Sequence, residues 1–298
     1  MKLSNPNYTK NPSKKQNPQE NSLRKRMRED MVLQNFSKNT QENYLNGVLK
    51  LAKYYMRSPD KIGEEEVRAF ILFLKEQSGL SPDTIRVYFY SIKFFYQKTM
   101  RENWQIFDNI RVPQPKHLPI VLSFEEIKRI LPHVLHPMYR MMLTLIYACG
   151  LRVSECIHLG VEDIDGSRKA VRVKGKGNRY REVPIPTHVL DLLRTYWRHK
   201  RPRPLLFPSA KVAGPVAPRT VRNAFRDACE KAKINKKATV HTLRHSYATH
   251  LLENSVGLPI IQGALGHKSI RSTMRYTHLT SKTDQVLNKA VNDQMSKL

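Results

Sequence analysis

The sequence predicts a mainly α-helical protein with one small β-hairpin, a two-domain chain whose second domain is α+β. Three observations carry that expectation. Apolar residues recur at helical spacing through most of the chain, as in Tyr44, Val48, Leu51 and Tyr55. Alternation of apolar and polar residues is concentrated in one place, Ala170 to Ile185, on both sides of Gly175-Lys176-Gly177-Asn178. A proline-punctuated stretch, residues 112–119, separates two helical blocks, and 298 residues are enough to bury two cores.

Residues 1–21 are rich in Asn, Pro, Lys and Ser with almost nothing to bury, which predicts a disordered basic tail. A helical first domain is expected over 22–111. Its helices are predicted at about 22–35, 38–56 with Ser37 as N-cap, 64–77 with a stop near Gly79, and 82–101, opened by Ser81-Pro82-Asp83. In the last of these Ile85, Phe89, Ile92 and Phe95 lie on one face, which reads as buried core in preference to a base-stacking surface. The linker 112–119 follows, and 120–298 forms the second domain.

There Ser123 caps a helix with Glu125 and Glu126 in its first turn, and the apolar run from Met138 to Cys149 predicts a central helix. After Gly150, Arg152 and Glu155 stand three apart on one side of a new helix, where the carboxylate can orient the guanidinium. An exposed ion pair of that spacing is commoner in general, but this arginine adjoins the most buried helix of the chain. Lys176 occupies the hairpin tip between two glycines that let the backbone approach a ligand. Helices are expected at about 187–199, 219–232 and, last, 281–294, where Val286, Leu287, Ala290 and Val291 share a side.

The charge bounds the function. Lys and Arg number 52 against 25 Asp and Glu, a formal net charge of +27, so a polyanion is the expected partner. The longest apolar run, Met141 to Leu151, is too short to span a bilayer, no hydrophobic run follows Lys2 as a secretory signal would require, and no membrane role is expected. Three cysteines, Cys149, Cys156 and Cys229, form neither a disulfide framework nor a CxxC pair, which fits a cytoplasmic protein.

The stretch from His241 to His278 carries the densest chemistry. His241 and Arg244 are three apart and expected on one helical face, with Leu243, Tyr247, Leu251 and Leu252 as a separate apolar stripe. Leu265-Gly266-His267 reads as a helix stop with glycine in the left-handed position, and Ser269 as the N-cap of a short helix ending near Tyr276. Taken alone, the stretch admits three readings. It can be a catalytic site, or a helix-turn-helix over 261–276. It can also be a metal pair of His241 and His245, although no Glu follows His241 as in zinc proteases and no cysteine is near.

The set Arg152, Lys176, His241-x-x-Arg244, Leu265-Gly266-His267 and Tyr276, in the contexts GLRVSE, GKGN, HTLRHSYAT, LGH and RYTH, resembles the tyrosine recombinases, also called the phage integrase family. The likeness spans roughly residues 25–295 and is greatest to compact Xer-type recombinases and integrases of small mobile elements. It implies a core-binding (SAM-like) first domain and a catalytic second domain that clamp DNA like a C. It also implies a metal-free, cofactor-free reaction through a 3′-phosphotyrosyl bond and a Holliday junction. Arg152 and Arg244 would fork the non-bridging oxygens, aided by His267. Tyr276 would attack, His241 accept its proton and Lys176 protonate the leaving 5′ oxygen, with Glu155 in support. The partner implied is double-stranded DNA, held at two sites by a homotetramer or with a sister recombinase, with 281–294 as the exchange helix. The rivals are a type IB topoisomerase, a non-catalytic helix-turn-helix regulator and a metal-dependent nuclease, the last without a carboxylate cluster to support it.

Overall fold

The computed structural model describes residues 18–112, 119–175, 180–267, 269–274 and 276. The chain divides into two compact units between Lys116 and His117. Four expectations therefore lie outside the described residues: residues 1–17 of the predicted tail, whose last four residues, 18–21, instead open α1; the connector 113–118; the hairpin tip with Lys176; and the helix at 281–294.

The first unit holds α1 (Pro18–Leu33), α2 (Lys38–Tyr55), α3 (Glu64–Glu76), α4 (Pro82–Phe94) and α5 (Ile106–Asn109). Ser37 and Ser81 start α2 and α4 as expected, each side-chain oxygen accepting from a backbone N–H three residues on, Thr40 and Thr84, at 3.3 Å. Ile85, Phe89, Ile92 and Phe95 are all buried, confirming the apolar stripe of α4 as core. The expected α-helix to residue 101 instead widens after Phe94 into a π-helical turn, Phe95–Met100. That turn carries the adjacent aromatics Phe95 and Tyr96 into the core, where the Tyr96 hydroxyl donates to the Pro59 carbonyl at 2.7 Å. The core also takes in Ile106 and Phe107 of α5, a helix the periodicity had not marked.

The second unit comprises α6 (Phe124–Ile130), α7 (Pro137–Ala148), α8 (Val153–Cys156), β1 (Ile164–Asp165), β2 (Ala170–Lys174), β3 (Tyr180–Pro184), α9 (Thr187–Lys200), α10 (Pro218–Lys231), α11 (Val240–Glu253), α12 (Leu258–Leu265) and α13 (Arg271–Met274). Ser123 and Glu126 close a capping box on α6, with Ser123 Oγ accepting from the Glu126 N–H and the Glu126 carboxylate from the Ser123 N–H. Helix α7 lies at the centre, with Met142, Leu143, Leu145 and Ile146 shut off from solvent.

The hairpin forms as predicted, Val171 facing Val183 and Lys174 facing Tyr180, with Val171, Val173 and Val183 buried. A two-residue strand, β1, adds to its outer edge and makes an antiparallel sheet of order β1-β2-β3. Among the described residues no helix is long and apolar enough to cross a membrane.

Candidate active site

Three pieces of the second unit, the start of α8, strand β3 and helix α11, meet on Glu155. Gly150 ends the turn after α7 at φ +59, a conformation that glycine adopts without strain, and turns its carbonyl back toward α11. Arg152 then stands as N-cap of α8, and Glu155, three residues on, accepts its backbone N–H at 2.8 Å through Oε2. The same carboxylate takes the Arg152 guanidinium on Oε1 at 2.6 Å. The pairing expected from the spacing is present, and it is partly buried: Glu155 is 5% exposed while Arg152, at 37%, keeps a face open.

Arg244 is the other guanidinium, and it is fully buried. It donates to the Gly150 carbonyl at 2.6 Å and to the Leu265 carbonyl at 2.5 Å, and lies 3.6 Å from Glu155 Oε2. Burial lowers its pKa to about 10, repulsion from Arg152 and Arg181 adds to that effect, and Glu155 opposes it, so the group stays charged at neutral pH. For Glu155 burial works in the raising direction. Hydrogen bonds from Arg181 and from the Arg152 backbone outweigh it and hold the carboxyl below its ordinary range.

The expected apolar stripe of α11 is present, with Leu243 buried and Tyr247, Leu251 and Leu252 packed on an apolar cluster, but burial extends well beyond it. His241 is exposed, Arg244 is buried, and Thr242, Leu243, Ser246, Ala248 and Thr249 are buried as well. Neighbours enclose most of the helix: α7, α10 and α12 all contact it. Periodicity in one segment cannot report how many sides are covered. A helix this enclosed can bury a cation only by giving it carbonyls and a carboxylate, and Arg244 has both.

Downstream, Gly266 ends α12 in the left-handed conformation, φ +61, as the sequence predicted. The stop places His267, whose Nδ1 is 3.0 Å from the Thr273 hydroxyl and whose backbone N–H donates to the Gln262 carbonyl. Helix α13 begins at Arg271, close to the expected cap, and the Ser269 carbonyl accepts the Ser272 N–H. With four residues, and with Thr273 buried, α13 offers no recognition helix, which removes the helix-turn-helix reading.

Tyr276 is buried in an apolar cluster with Ala248, Ile261 and Leu265. Its hydroxyl is 2.9 Å from Nδ1 of His245, and its ring lies parallel to that of His267, centroids 6.4 Å apart. His245 also meets the His241 ring edge-on, at 4.4 Å. Thus Arg152, Glu155, His241, Arg244, His267 and Tyr276 are gathered in one place. Lys176 lies outside the described residues, two beyond Lys174 at the end of β2.

Sequence reasoning weighed His245 only as a metal partner and passed over Arg181, which forms two hydrogen bonds to Glu155. The signal for Arg181 was available: it shares the inward side of β3 with Val183, an arginine on the apolar side of an alternating strand. For His245 the signals were its position beside Arg244 and its spacing of four from His241, which sequence reasoning read as a metal pair. Among the described residues no group of three His, Cys, Asp or Glu side chains is placed to hold a metal ion.

A helical domain followed by a helical domain with a small sheet, and a tyrosine set among histidines beside Arg152 and the buried Arg244, match the class of enzymes that break and rejoin DNA strands. Comparison with known proteins makes the assignment specific. The phage integrase family profile matches residues 121–283, and the profile of its N-terminal SAM-like domain matches 23–106. The chain belongs to the phage integrase family and is a tyrosine site-specific recombinase.

An integrase/recombinase of Sinorhizobium fredii is 38% identical over 265 residues, 87% of this chain and 85% of the relative. The tyrosine recombinase XerD of Staphylococcus aureus is 34% identical, over 77% of this chain and 83% of its own. Among solved structures the XerH site-specific recombinase, bound to a palindromic difH substrate after cleavage, has the same fold with a TM-score of 0.68. It is 23% identical and covers 84% of this chain and 78% of its own.

Proposed function

We propose that this recombinase cleaves one strand of a double-stranded DNA site with Tyr276 and rejoins it to a second strand, with Arg152, Arg244, His241, His267 and Lys176 as the reacting set. The observation that carries the reading is the placement of the Tyr276 hydroxyl, 2.9 Å from His245, the immediate neighbour of a buried and charged Arg244. In the step proposed, Tyr276 Oη forms a bond to phosphorus while the bond from phosphorus to the 5′ oxygen breaks. The phenolic proton passes to the histidine pair His241 and His245, and Lys176 supplies a proton to the leaving 5′ oxygen. The two guanidiniums and His267 offset the charge gathering on the non-bridging oxygens. The ester is exchanged, not hydrolysed, so a second DNA hydroxyl can reverse the step.

Charge supports DNA as partner: +27 on 298 residues favours tight, salt-sensitive contact with phosphates. The assembly proposed is a homotetramer on two DNA sites acting in the cytoplasm, exchanging strands in pairs through a Holliday junction, with residues 281–294 passed between protomers.

The test is covalent trapping in chelator, on a nicked duplex carrying the sequence that flanks the gene. A denaturant-resistant protein–DNA adduct formed by the wild type and absent from Tyr276→Phe is expected. An adduct that persists in Tyr276→Phe, or that requires a divalent ion, removes the reading.

A further inference from the structure

We propose that Arg181 is a positioning residue of the reaction, the strut that fixes the hairpin and both phosphate-binding arginines to one carboxylate. The proposal rests on the reading of Arg152, Arg244 and Tyr276 given above.

Arg181 is a side chain fully committed to the protein. NH1 and NH2 donate to the two oxygens of Glu155 at 3.0 and 2.9 Å, and Nε donates to the Ala264 carbonyl at 2.9 Å. It is 13% exposed, and its aliphatic stem runs beneath Gly266, where an added Cβ would stand 3.0 Å from Arg181 Cδ. With every nitrogen turned inward, Arg181 presents no planar fork for a phosphate, which distinguishes it from Arg152.

What Arg181 does hold is Glu155 and the end of α12. Glu155 is shared by three guanidiniums: Arg152 on Oε1, Arg244 near Oε2, and Arg181 on both. Arg181 is the one guanidinium that forks both oxygens, and with the Arg152 backbone N–H on Oε2 and the Arg152 guanidinium on Oε1 it fixes the plane of the carboxylate. The Ala264 carbonyl adjoins that of Leu265, which accepts from Arg244, so Arg181 also secures the end of α12 that places His267. On its own strand it lies five residues past Lys176, at the second position of β3.

Stability does not account for this arrangement. Burying an ion pair where Val or Ile would suit the inward side of a strand is neutral or unfavourable in general. A third cation here also repels Arg244, whose pKa it lowers. Three guanidiniums on one carboxylate leave a local excess of two positive charges, which an incoming phosphodiester can offset. The cost in the free protein is explained if the geometry serves the DNA-bound state.

The experiment uses the full chain and two substrates, the phosphodiester and a methylphosphonate in which a methyl replaces one non-bridging oxygen at the scissile position and so removes the charge the forks must offset. Single-turnover formation of the Tyr276 adduct is measured for wild type, Arg181→Gln and Arg181→Lys, with DNA retardation and circular dichroism alongside. A misplaced clamp costs on the order of 100-fold, so Arg181→Gln is expected to lose about that much on the phosphodiester and less than about fivefold on the methylphosphonate. Site binding should stay within about twofold of wild type, since a positioning residue makes no phosphate contact of its own. Arg181→Lys, with the charge but not the fork, should fall between wild type and Arg181→Gln.

Equal loss on both substrates would overturn the proposal, because damage to the fold does not depend on substrate charge. Wild-type rates on the phosphodiester, or a loss explained by weaker DNA binding, would overturn it as well. If Arg181→Gln does not fold, the two-substrate comparison on Arg181→Lys decides. A wild type that forms no Tyr276 adduct sinks the underlying reading, an outcome visible before any Arg181 variant is made.

Discussion

Gly150→Ala places a single methyl group where the site is tightest. At φ +59 an alanine costs about 1–2 kcal/mol over glycine, because its Cβ crowds the backbone. The methyl would also stand 2.4 Å from Cδ1 and 2.6 Å from Cε1 of Tyr247, and 3.1 Å from the Leu265 side chain. Overpacking of that kind adds about 1–3 kcal/mol. The two effects sum to about 2–5 kcal/mol, a large share of the total stability of an ordinary domain.

Relief by backbone rotation would turn the Gly150 carbonyl away from Arg244, leaving a buried guanidinium short of an acceptor. Either route should lower the urea midpoint of the second unit, read at Trp197, and strand cleavage per folded molecule should fall with it. Gly263→Ala is the matched control: it lies within α12, an added Cβ meets nothing within 4 Å, and the change should stabilise by about 0.5–1 kcal/mol. A Gly150→Ala protein within about 0.5 kcal/mol of wild type would refute the reasoning on both backbone and packing.

Further outcomes are expected. Arg244→Lys should lose most cleavage activity while still binding DNA, since a point charge cannot span the Gly150 and Leu265 carbonyls and a phosphate together; near-normal trapping would take Arg244 out of the site. Glu155→Gln removes the one anion among three guanidiniums and should destabilise the second unit by about 3 kcal/mol or more at neutral pH. Its folded-state pKa is depressed, so the carboxylate contributes fully above the ordinary value of 4.5 and loses that contribution as pH falls through the lowered one. The stability gap between wild type and Glu155→Gln should therefore close in acid, and a gap independent of pH would argue that size, not charge, matters at this position. Burial pushes the Cys149 thiol up to about 12 and Cys229 up to about 11, and it raises Cys156 as well. None should react with a maleimide in the folded protein, all three should in urea, and mass spectrometry counts them.

Much of the framework was legible because its signals are local. Ser37, Ser81 and Ser123 as caps, the glycine stop at Gly266, the apolar face of α4 and the hairpin pairing across 170–184 each depend on a few consecutive residues. Other features depend on what lies opposite. Strand β1 is two residues long and exists because β2 offers it an edge. The π-helical turn follows from the demand that Phe95 and Tyr96 both be buried, which helical periodicity alone does not express. In the site, spacing marked Arg152 with Glu155 and His241 with Arg244, and the family resemblance supplied the roles expected of them and of His267 and Tyr276. Arg181 and His245 remained hidden because their partners, Glu155 and Tyr276, are 26 and 31 residues away in sequence.

One small contact near the start of the second unit governs how such a protein can be divided and recombined as a polypeptide. The Leu122 N–H donates to the Ser246 hydroxyl at 2.9 Å, and the Lys236 ammonium holds the Val121 carbonyl at 2.9 Å and the Glu126 carboxylate at 2.7 Å. Residues 121–126 are thus sewn to the helix that bears Arg244, with Leu122 itself fully buried. A fragment that opens at residue 119 keeps this seam whole, while one that opens at 124 forfeits the Leu122 plug and the Ser123 cap together. The seam marks where the folded second unit begins as a polypeptide, so a cut made for dissection belongs before Val121 and not within 121–126.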